Sequence, residues 1–127
     1  MKKIIKAFIA DDHLHVRNGL IAMLSQIEGI EVTGQAKDVH EAIESIEALK
    51  PDVVILDIRM PGGSGIDVLK FVKKERPSTV VIILTNYPYP PYRQEYMDEG
   101  ADFFFNKSTE FGRIVDVCKQ LVQDSCD

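Results

Sequence analysis

Four consecutive apolar residues, Val53 to Leu56, lead directly into the carboxylate of Asp57 and then into a turn rich in proline and glycine. An unbroken apolar run of this length predicts a strand that is buried on both faces, as in a parallel sheet. Open α/β sheets bind their ligands at the carboxyl ends of such strands. Asp57 is therefore the first candidate for chemistry.

The rest of the chain alternates between strand patterns and helix patterns. Strands are predicted at residues 4–10, 30–36, 53–56, 80–84 and 103–105, each followed by apolar residues at helical spacing. This alternation predicts a parallel sheet with right-handed crossovers and helices on both faces. We predict a single α/β domain over residues 1–127, a doubly wound flavodoxin-like (βα)5 fold with the strand order 2-1-3-4-5.

Local patterns add expectations about individual elements. Residues 30–36 alternate between apolar and polar side chains, which predicts a half-exposed strand at a sheet edge. Three prolines within residues 88–91 exclude a helix there, so a short fourth helix is predicted over residues 92–99. The tyrosines at 87, 89 and 92 could form a partner surface or shield these prolines, and the pattern does not decide between the two.

The C-terminal third of the chain gives two further expectations. Ser108 or Thr109 is predicted to cap the last helix, because hydroxyl side chains are favoured at helix N-caps. Three phenylalanines at 103–105 are expected to belong to the core of the fifth strand. Alternation along the strand predicts that Phe104 is the partly exposed one of the three.

Size and charge exclude several classes of protein. The chain has 127 residues, enough for one domain with a core, and its 15 basic and 20 acidic residues give a formal charge of −5. This charge disfavours direct binding of nucleic acid or of an anionic membrane. No apolar run approaches the roughly 18 residues of a membrane span. The two cysteines, Cys118 and Cys126, lack metal-site or disulfide spacing, so a cytoplasmic location is expected.

Polar side chains follow four of the five predicted strands. These are Asp11 and Asp12 after the first strand, Asp57 after the third, Thr85 after the fourth and Lys107 after the fifth. Because parallel strands end at the same edge of a sheet, we expect these groups to converge. Three crowded carboxylates ionise together only if a cation lies among them, and oxygen ligands favour Mg²⁺. The threonine and the lysine would then donate to a phosphoryl group near one carboxylate.

At these positions the sequence resembles the receiver domain of two-component response regulators, and the resemblance covers essentially the whole chain. The matching motifs are Asp11-Asp12, Asp57-Ile58-Arg59-Met60-Pro61 with Gly65, Thr85, Gly100-Ala101-Asp102 and Lys107. Each motif is weak alone, but their combination in this order is highly specific. The resemblance implies that Asp57 is the phosphoacceptor for a sensor histidine kinase or a phosphotransfer protein.

The resemblance also implies roles for the neighbouring residues. Asp12, Asp57 and the backbone carbonyl of Arg59 would bind Mg²⁺ directly, with Asp11 acting through water. Thr85 and Lys107 would hold the phosphoryl oxygens. Thr85 would also be a switch residue together with Phe104, whose ring would turn inward on phosphorylation.

A receiver of this kind catalyses only its own phosphorylation and dephosphorylation, so we do not expect a conventional enzyme. Its conformational switch would control an output domain or a separate partner, and phosphorylation could produce a homodimer. No effector domain is recognisable in residues 1–127, so the sequence is either a stand-alone receiver or a piece of a larger regulator. We also expect Arg59 and Tyr87 to lengthen the life of the phosphorylated state.

Some features depart from the family pattern. Ser108 follows the lysine where many receivers have proline, and the proline-rich segment lies where the fourth helix normally starts. A Mg²⁺-dependent phosphatase would use the same nucleophile, but it would normally need a second acid at the position that Arg59 occupies. A receiver that works without phosphorylation is a further alternative, although all the acids of the site are present. The histidines at 13, 15 and 40 look too scattered to form a metal site.

Overall fold

The computed structural model describes residues 4–125. Within this range five strands form one sheet: β1 (Ile5–Ala10), β2 (Ile30–Ala36), β3 (Val53–Leu56), β4 (Val80–Thr85) and β5 (Phe103–Asn106). Five helices follow the strands in turn: α1 (Leu14–Leu24), α2 (Val39–Leu49), α3 (Gly65–Glu75), α4 (Pro90–Asp98) and α5 (Arg113–Asp124). The sheet is parallel throughout, with the order β2-β1-β3-β4-β5, which confirms the predicted fold and places β2 at an edge.

The register of the central strands aligns their carboxyl ends. Leu56 of β3 lies opposite Ala10 of β1 on one side and Ile83 of β4 on the other. Thr85, the last residue of β4, lies opposite Asn106, the last residue of β5. The residues that follow β1, β3 and β5 therefore reach the same edge of the sheet as Thr85.

Helices cover both faces of the sheet because the central strands are apolar on both faces. Alternate residues of a strand point to opposite faces, so Val54 and Leu56 pack in a core formed with α2, α3 and α4. Val53 and Ile55 pack in a second core formed with α1 and α5. At roughly 25 cal/mol per Å² of buried apolar surface, these two cores are the main source of stability.

The prediction that Phe104 is the partly exposed phenylalanine of β5 is wrong. Its ring is 5% exposed, whereas Phe103 is 36% exposed. Phe104 lies opposite Ile83 and faces the core beneath α4, where it meets the ring of Tyr96 edge-on at 6.3 Å between centroids. Phe103 lies on the other face of an edge strand, where it borders the side of α5 and remains partly accessible.

The last helix begins later than predicted. Its N-cap is Gly112, so neither Ser108 nor Thr109 caps it. The physical reason is a turn held by Asn106, whose side-chain oxygen accepts a hydrogen bond from the Ser108 N–H at 2.8 Å. The Glu110 N–H also donates to the Asn106 carbonyl at 2.8 Å, which closes this turn before the helix starts.

Two other boundaries differ from the sequence-based expectation. The fourth helix starts at Pro90 and not at residue 92, because proline is tolerated in the first helical turn, where no N–H is required. After Asp57, Arg59–Met60 pairs with Gly63–Ser64 in a small antiparallel ribbon that the sequence analysis did not predict. Among the described residues, no helix is long and apolar enough to span a membrane.

Gly65 allows the close return of the chain after the ribbon. Its N–H donates to the Ile58 carbonyl at 2.7 Å. A Cβ atom at this position would overlap the backbone carbonyl oxygen of Asp57. The first turn of α3 can therefore lie against the candidate phosphoacceptor loop only because this residue lacks a side chain.

We predict that Gly65→Ala lowers the free energy of unfolding by about 1–3 kcal/mol, because the overlap involves backbone that cannot rotate away. Gly112→Ala is the matched control, since a Cβ there meets no heavy atom within 4 Å. The control should stay within about 0.5 kcal/mol of the unsubstituted protein. Urea unfolding of the three proteins measures both values, and equal stability of the two variants would contradict the account.

Candidate functional site

Lys107 joins two carboxylates at the carboxyl edge of the sheet. Its Nζ lies 2.6 Å from Asp11 Oδ2 and 3.0 Å from Asp57 Oδ2. The lysine side chain is 6% exposed and both carboxylate side chains are 3% exposed. The second oxygen of Asp57, Oδ1, accepts a hydrogen bond from the Ile58 N–H at 2.7 Å. The structure thus brings together three of the residues that the sequence predicted at this edge.

Asp12 completes the acidic group from a more exposed position. Its side chain is 34% exposed, and its Oδ1 lies 3.0 Å from Nδ1 of His13. Potential ligand atoms of Asp11, Asp12, His13 and Asp57 all lie within 4.8 Å of one another. The three carboxylates predicted to converge therefore do so.

His13 is a site residue that the sequence analysis missed. We interpreted the three histidines as scattered, and His40 does lie elsewhere, where it contacts Glu44 on α2 at 2.6 Å. The three histidines do not come together in the described residues, but the imidazole of His13 lies against the acidic pair, which the sequence analysis did not predict. Its position directly after Asp12 was the available signal, but one histidine beside two acids has no metal-site spacing to recognise.

Burial and the nearby positive charge of Lys107 have opposite effects on the pKa of Asp57. Burial raises the pKa of its carboxyl above the ordinary value of 3.8, the Lys107 ammonium opposes this, and the Asp11 carboxylate adds to it. For Lys107, burial alone would lower the pKa of the ammonium. The hydrogen bond that the ammonium donates to Asp11 and the charges of both carboxylates outweigh burial and raise that pKa instead. The lysine therefore stays charged, while the ionised form of Asp57 is not fully compensated.

One ammonium cannot neutralise three carboxylates, so the site carries excess negative charge that favours binding of a further cation. Carboxylate oxygens are the ligands that a hard divalent cation prefers, and Mg²⁺ typically takes one or two carboxylates and completes its shell with water. The acidic pocket of Asp11, Asp12 and Asp57 fits this ion in ligand type.

Thr85 lies at the end of β4 and is fully buried. Its hydroxyl oxygen accepts a hydrogen bond from the Tyr87 N–H at 2.9 Å. Its carbonyl accepts a hydrogen bond from the Lys107 N–H at 2.8 Å, which fixes the lysine backbone beside the end of β4. Thr85 thus connects the acidic site to the tyrosine-proline segment that follows it.

Arg59 and Tyr87 lie against each other. The guanidinium carbon of Arg59 is 4.1 Å from the centroid of the Tyr87 ring, which is cation–π distance. A hydrogen bond with Tyr92 and the nearby Tyr87 hydroxyl both raise the pKa of the guanidinium. The residue two positions after Asp57 is therefore joined to the residue two positions after Thr85.

A doubly wound sheet with these acids and this lysine at its carboxyl edge is the arrangement that the resemblance to receiver domains predicts. The comparison with known proteins gives the family: the sequence model of the response regulator receiver domain matches residues 7–119. The chain therefore belongs to the response regulator receiver domain family.

The relatives agree with this assignment. The response regulator GacA of Pseudomonas aeruginosa is 32% identical over 117 residues, which cover 92% of this chain and 55% of the relative. The transcriptional regulatory protein LnrK of Bacillus subtilis is 35% identical over 111 residues, 87% of this chain and 50% of that protein. The chain thus spans about half the length of these curated relatives.

Solved structures resemble the fold closely. The signal receiver domain of the response regulator NarL from Mycobacterium tuberculosis superposes with a TM-score of 0.82 at 31% identity. The match covers 93% of this chain and 98% of that one. Nearly the whole of a known receiver domain therefore corresponds to nearly the whole of this chain.

We predict that Asp57→Asn stabilises the protein at neutral pH in the presence of a chelator. Because the folded-state pKa of Asp57 is raised above 3.8, the stability linked to its protonated form is fully present below that value. That stability is lost as the pH rises through the folded pKa. The neutral amide avoids the loss and can still accept the Ile58 hydrogen bond. A gain of about 1 kcal/mol corresponds to roughly 4 °C in Tm.

Asp38→Asn is the matched control, because it removes the same charge from the N-cap of α2, where asparagine caps equally well. Thermal unfolding at neutral pH and near pH 4 measures both variants. The advantage of Asp57→Asn should shrink toward the lower pH, and added Mg²⁺ should stabilise the unsubstituted protein more than this variant. A variant less stable than the parent at neutral pH would contradict the charge assignment.

Proposed function

We propose that this receiver accepts a phosphoryl group on Asp57 from the phosphohistidine of a sensor kinase or of a phosphotransfer protein. The observation that carries the proposal is the pairing of Lys107 with Asp57 and Asp11 at a buried strand end, with Asp12 beside them. This arrangement combines a nucleophilic carboxylate with charges suited to a phosphoryl group.

Two hydrogen bonds hold the Asp57 carboxylate in position for this transfer. Either oxygen could attack phosphorus in line with the bond to the histidine nitrogen. The new P–O bond forms as the P–N bond breaks, and the nitrogen keeps the electron pair of that bond. The Ile58 N–H and the Lys107 ammonium hold the carboxylate in place, which reduces the ordering required at the transition state.

We propose Mg²⁺ as the cofactor of this transfer. Asp12 and Asp57 would hold it directly together with the carbonyl oxygen of Arg59, and Asp11 would act through a water molecule. When bound, the ion supplies charge neutralisation for the phosphoryl oxygens. Lys107 and the hydroxyl of Thr85 would donate hydrogen bonds to the same oxygens.

We further propose that Thr85 and Phe104 form the switch. A Thr85 hydroxyl that turns to donate to a phosphoryl oxygen would disturb its bond with the Tyr87 N–H and so shift the segment that follows. Because the Phe104 ring is already buried, its response would be a change of contacts and not an inward rotation. Those contacts include Arg93, whose guanidinium donates to the Phe104 carbonyl at 3.1 Å and lies 5.7 Å from the ring centroid.

The output of the switch is proposed to be an attached domain or a separate protein. LnrK is a transcriptional regulatory protein about twice as long as the region that matches this chain, so a transcription-regulating output is one candidate. The receiver itself, with a formal charge of −5, is not proposed to bind nucleic acid directly. We propose a cytoplasmic location for the receiver. A homodimer formed on phosphorylation is a candidate active form. We propose no catalysis beyond its own phosphorylation and dephosphorylation.

Incubation with acetyl phosphate and Mg²⁺ is expected to add the mass of one phosphoryl group. Asp57→Asn should abolish the added mass, and excess chelator should suppress it in the unsubstituted protein. Asp38→Asn should be modified normally, since it removes a carboxylate from a helix cap outside the site. Intact-mass measurement checks all four cases. Full modification of Asp57→Asn would remove Asp57 as acceptor, and full modification in chelator would remove the metal.

We propose that Arg59 and Tyr87 prolong the phosphorylated state. Dephosphorylation needs a water molecule in line with the bond that breaks, and neither residue is a good carboxylate or amide for positioning that water. The stacked pair would also place bulk and fixed positive charge near the phosphoryl oxygens. The combined change Arg59→Asn and Tyr87→Glu should speed phosphate loss about tenfold, equivalent to about 1.4 kcal/mol of barrier.

The decay of mass-tagged protein after removal of the donor measures this effect. Tyr89→Glu is the control, because Tyr89 packs edge-on against Tyr92 at 5.4 Å between centroids and is 60% exposed. The control should decay at the parent rate. A double variant that decays no faster than the parent would show that these side chains do not govern access of water.

A further inference from the structure

The imidazole of His13 lies where a fourth ligand of the acidic site would lie. Its Nδ1 is 3.0 Å from Asp12 Oδ1 and 3.2 Å from Asp11 Oδ1. The side chain is 51% exposed, so the ring can approach or leave an ion without a change in the core. No other histidine in the described part of the chain belongs to this group of candidate ligands.

Hydrogen bonds fix the backbone from which this ring projects. His13 is the N-cap residue of α1, and its N–H donates to Asp11 Oδ1 at 2.8 Å. Arg17, one turn into the helix, donates to the Asp11 carbonyl at 2.8 Å and to the Gln35 side chain on β2 at 2.8 Å. The start of the helix is therefore tied to the end of β1 and to the edge strand β2, and the imidazole projects from a fixed point of the backbone.

The spacing between His13 Nδ1 and Asp12 Oδ1 matches that of neighbouring ligands around one ion. Two ligands at about 2.1 Å from a metal and at right angles to each other are roughly 3.0 Å apart. The distance from Nδ1 to the Asp12 oxygen is 3.0 Å. A hydrogen bond has the same length, so the distance alone does not separate ligation from donation, whereas the choice of ion can.

We propose that His13 sets the metal selectivity of the site by adding a nitrogen ligand for ions that accept one. This inference rests on the proposed divalent-cation site. Imidazole suits first-row transition ions, and affinity generally rises along that series from Mn²⁺ to Co²⁺ and beyond. Mg²⁺ prefers oxygen and keeps its water molecules. The site would therefore bind Co²⁺ with the imidazole included and Mg²⁺ without it.

The alternative role is a positioning one. If Nδ1 carries a proton and only donates to Asp11 and Asp12, its removal would loosen both carboxylates. Every divalent ion would then bind more weakly by a similar factor. The two roles therefore differ in the ratio of two affinities and not in either affinity alone.

The test is a calorimetric titration of the protein with Co²⁺ and with Mg²⁺ at one fixed, mildly alkaline pH. His13→Asn is the main variant, because asparagine is a favoured N-cap residue and preserves the backbone N–H that bonds Asp11. His15→Asn is the matched control, since His15 is exposed on the same helix and its ring is 5.8 Å from that of His13. Asp12→Asn serves as the reference for loss of the site.

We expect His13→Asn to weaken Co²⁺ binding at least tenfold and to change Mg²⁺ binding less than twofold. His15→Asn should change neither, and Asp12→Asn should weaken both. Equal weakening of the two ions by His13→Asn, or no change for Co²⁺, would overturn the inference and leave the proposed Mg²⁺ site standing. Absence of binding of either ion to the unsubstituted protein would overturn the proposed site as well.

A second readout locates the bound ion and does not depend on affinity. In protein labelled with ¹⁵N at histidine, Co²⁺ should broaden the Nδ1 resonance of His13 before that of His15 or His40. Mg²⁺ should leave the His13 nitrogen resonances close to their metal-free positions. Equal broadening of all three histidines would indicate scattered surface binding and would contradict a nitrogen ligand at this site.

Discussion

The ammonium of Lys107 is the contact on which the rest of the site depends. It lies 2.6 Å from Asp11 and 3.0 Å from Asp57, two carboxylates that the fold buries side by side. Without this cation, two charges removed from water would repel each other at short range, which is among the most destabilising arrangements in a protein interior. The positive charge of the lysine compensates part of this negative charge, and its hydrogen bond also holds the carboxylate of Asp57, the proposed phosphoacceptor, in place.

Backbone hydrogen bonds continue the sheet pairing beyond the ends of the strands and hold the residues of the site. The Asp57 N–H donates to the Ala10 carbonyl at 2.9 Å, and the Asp11 N–H donates to the Ala36 carbonyl at 3.0 Å. On the other side, Lys107 is tied to the Thr85 carbonyl. The acids and the lysine therefore sit on continuations of a parallel sheet, which is a rigid support. The part that we propose to move is the segment after Thr85, where Tyr87, Pro88 and Tyr89 are exposed.

The sequence was sufficient for the fold and for the convergence of the acids, because strands buried on both faces have an unmistakable apolar pattern and a parallel sheet aligns their ends. Asp57 and Lys107, 50 residues apart, could be placed together on that argument alone. The burial of Phe104 could not be predicted from the sequence. Both faces of β5 are apolar, and only the packing of α4 decides which ring is covered. The late start of α5 depends on the Asn106 side chain, which competes with the helix for the same backbone groups.

The side-chain partners around the site were the least predictable part. His13 contacts two acids that precede it directly in the chain, but a side chain next to an acid in sequence can point either toward it or away from it. Arg59 meets Tyr87 because two loops approach each other across the edge of the sheet. This second contact leaves no pattern in the sequence, because it depends on how the whole fold places the two loops.

The central claim is that charge placed on Asp57 is transmitted through Lys107 and Thr85 to the loops that follow β4 and β5. Amide chemical shifts measured before and after addition of Mg²⁺ and a beryllofluoride analogue of the phosphoryl group test it most directly. The account predicts that the changes concentrate at residues 84–92 and 102–108 and that Asp57→Asn shows none of them. Changes confined to Asp57 and its immediate neighbours, with the Tyr87 amide unmoved, would contradict it.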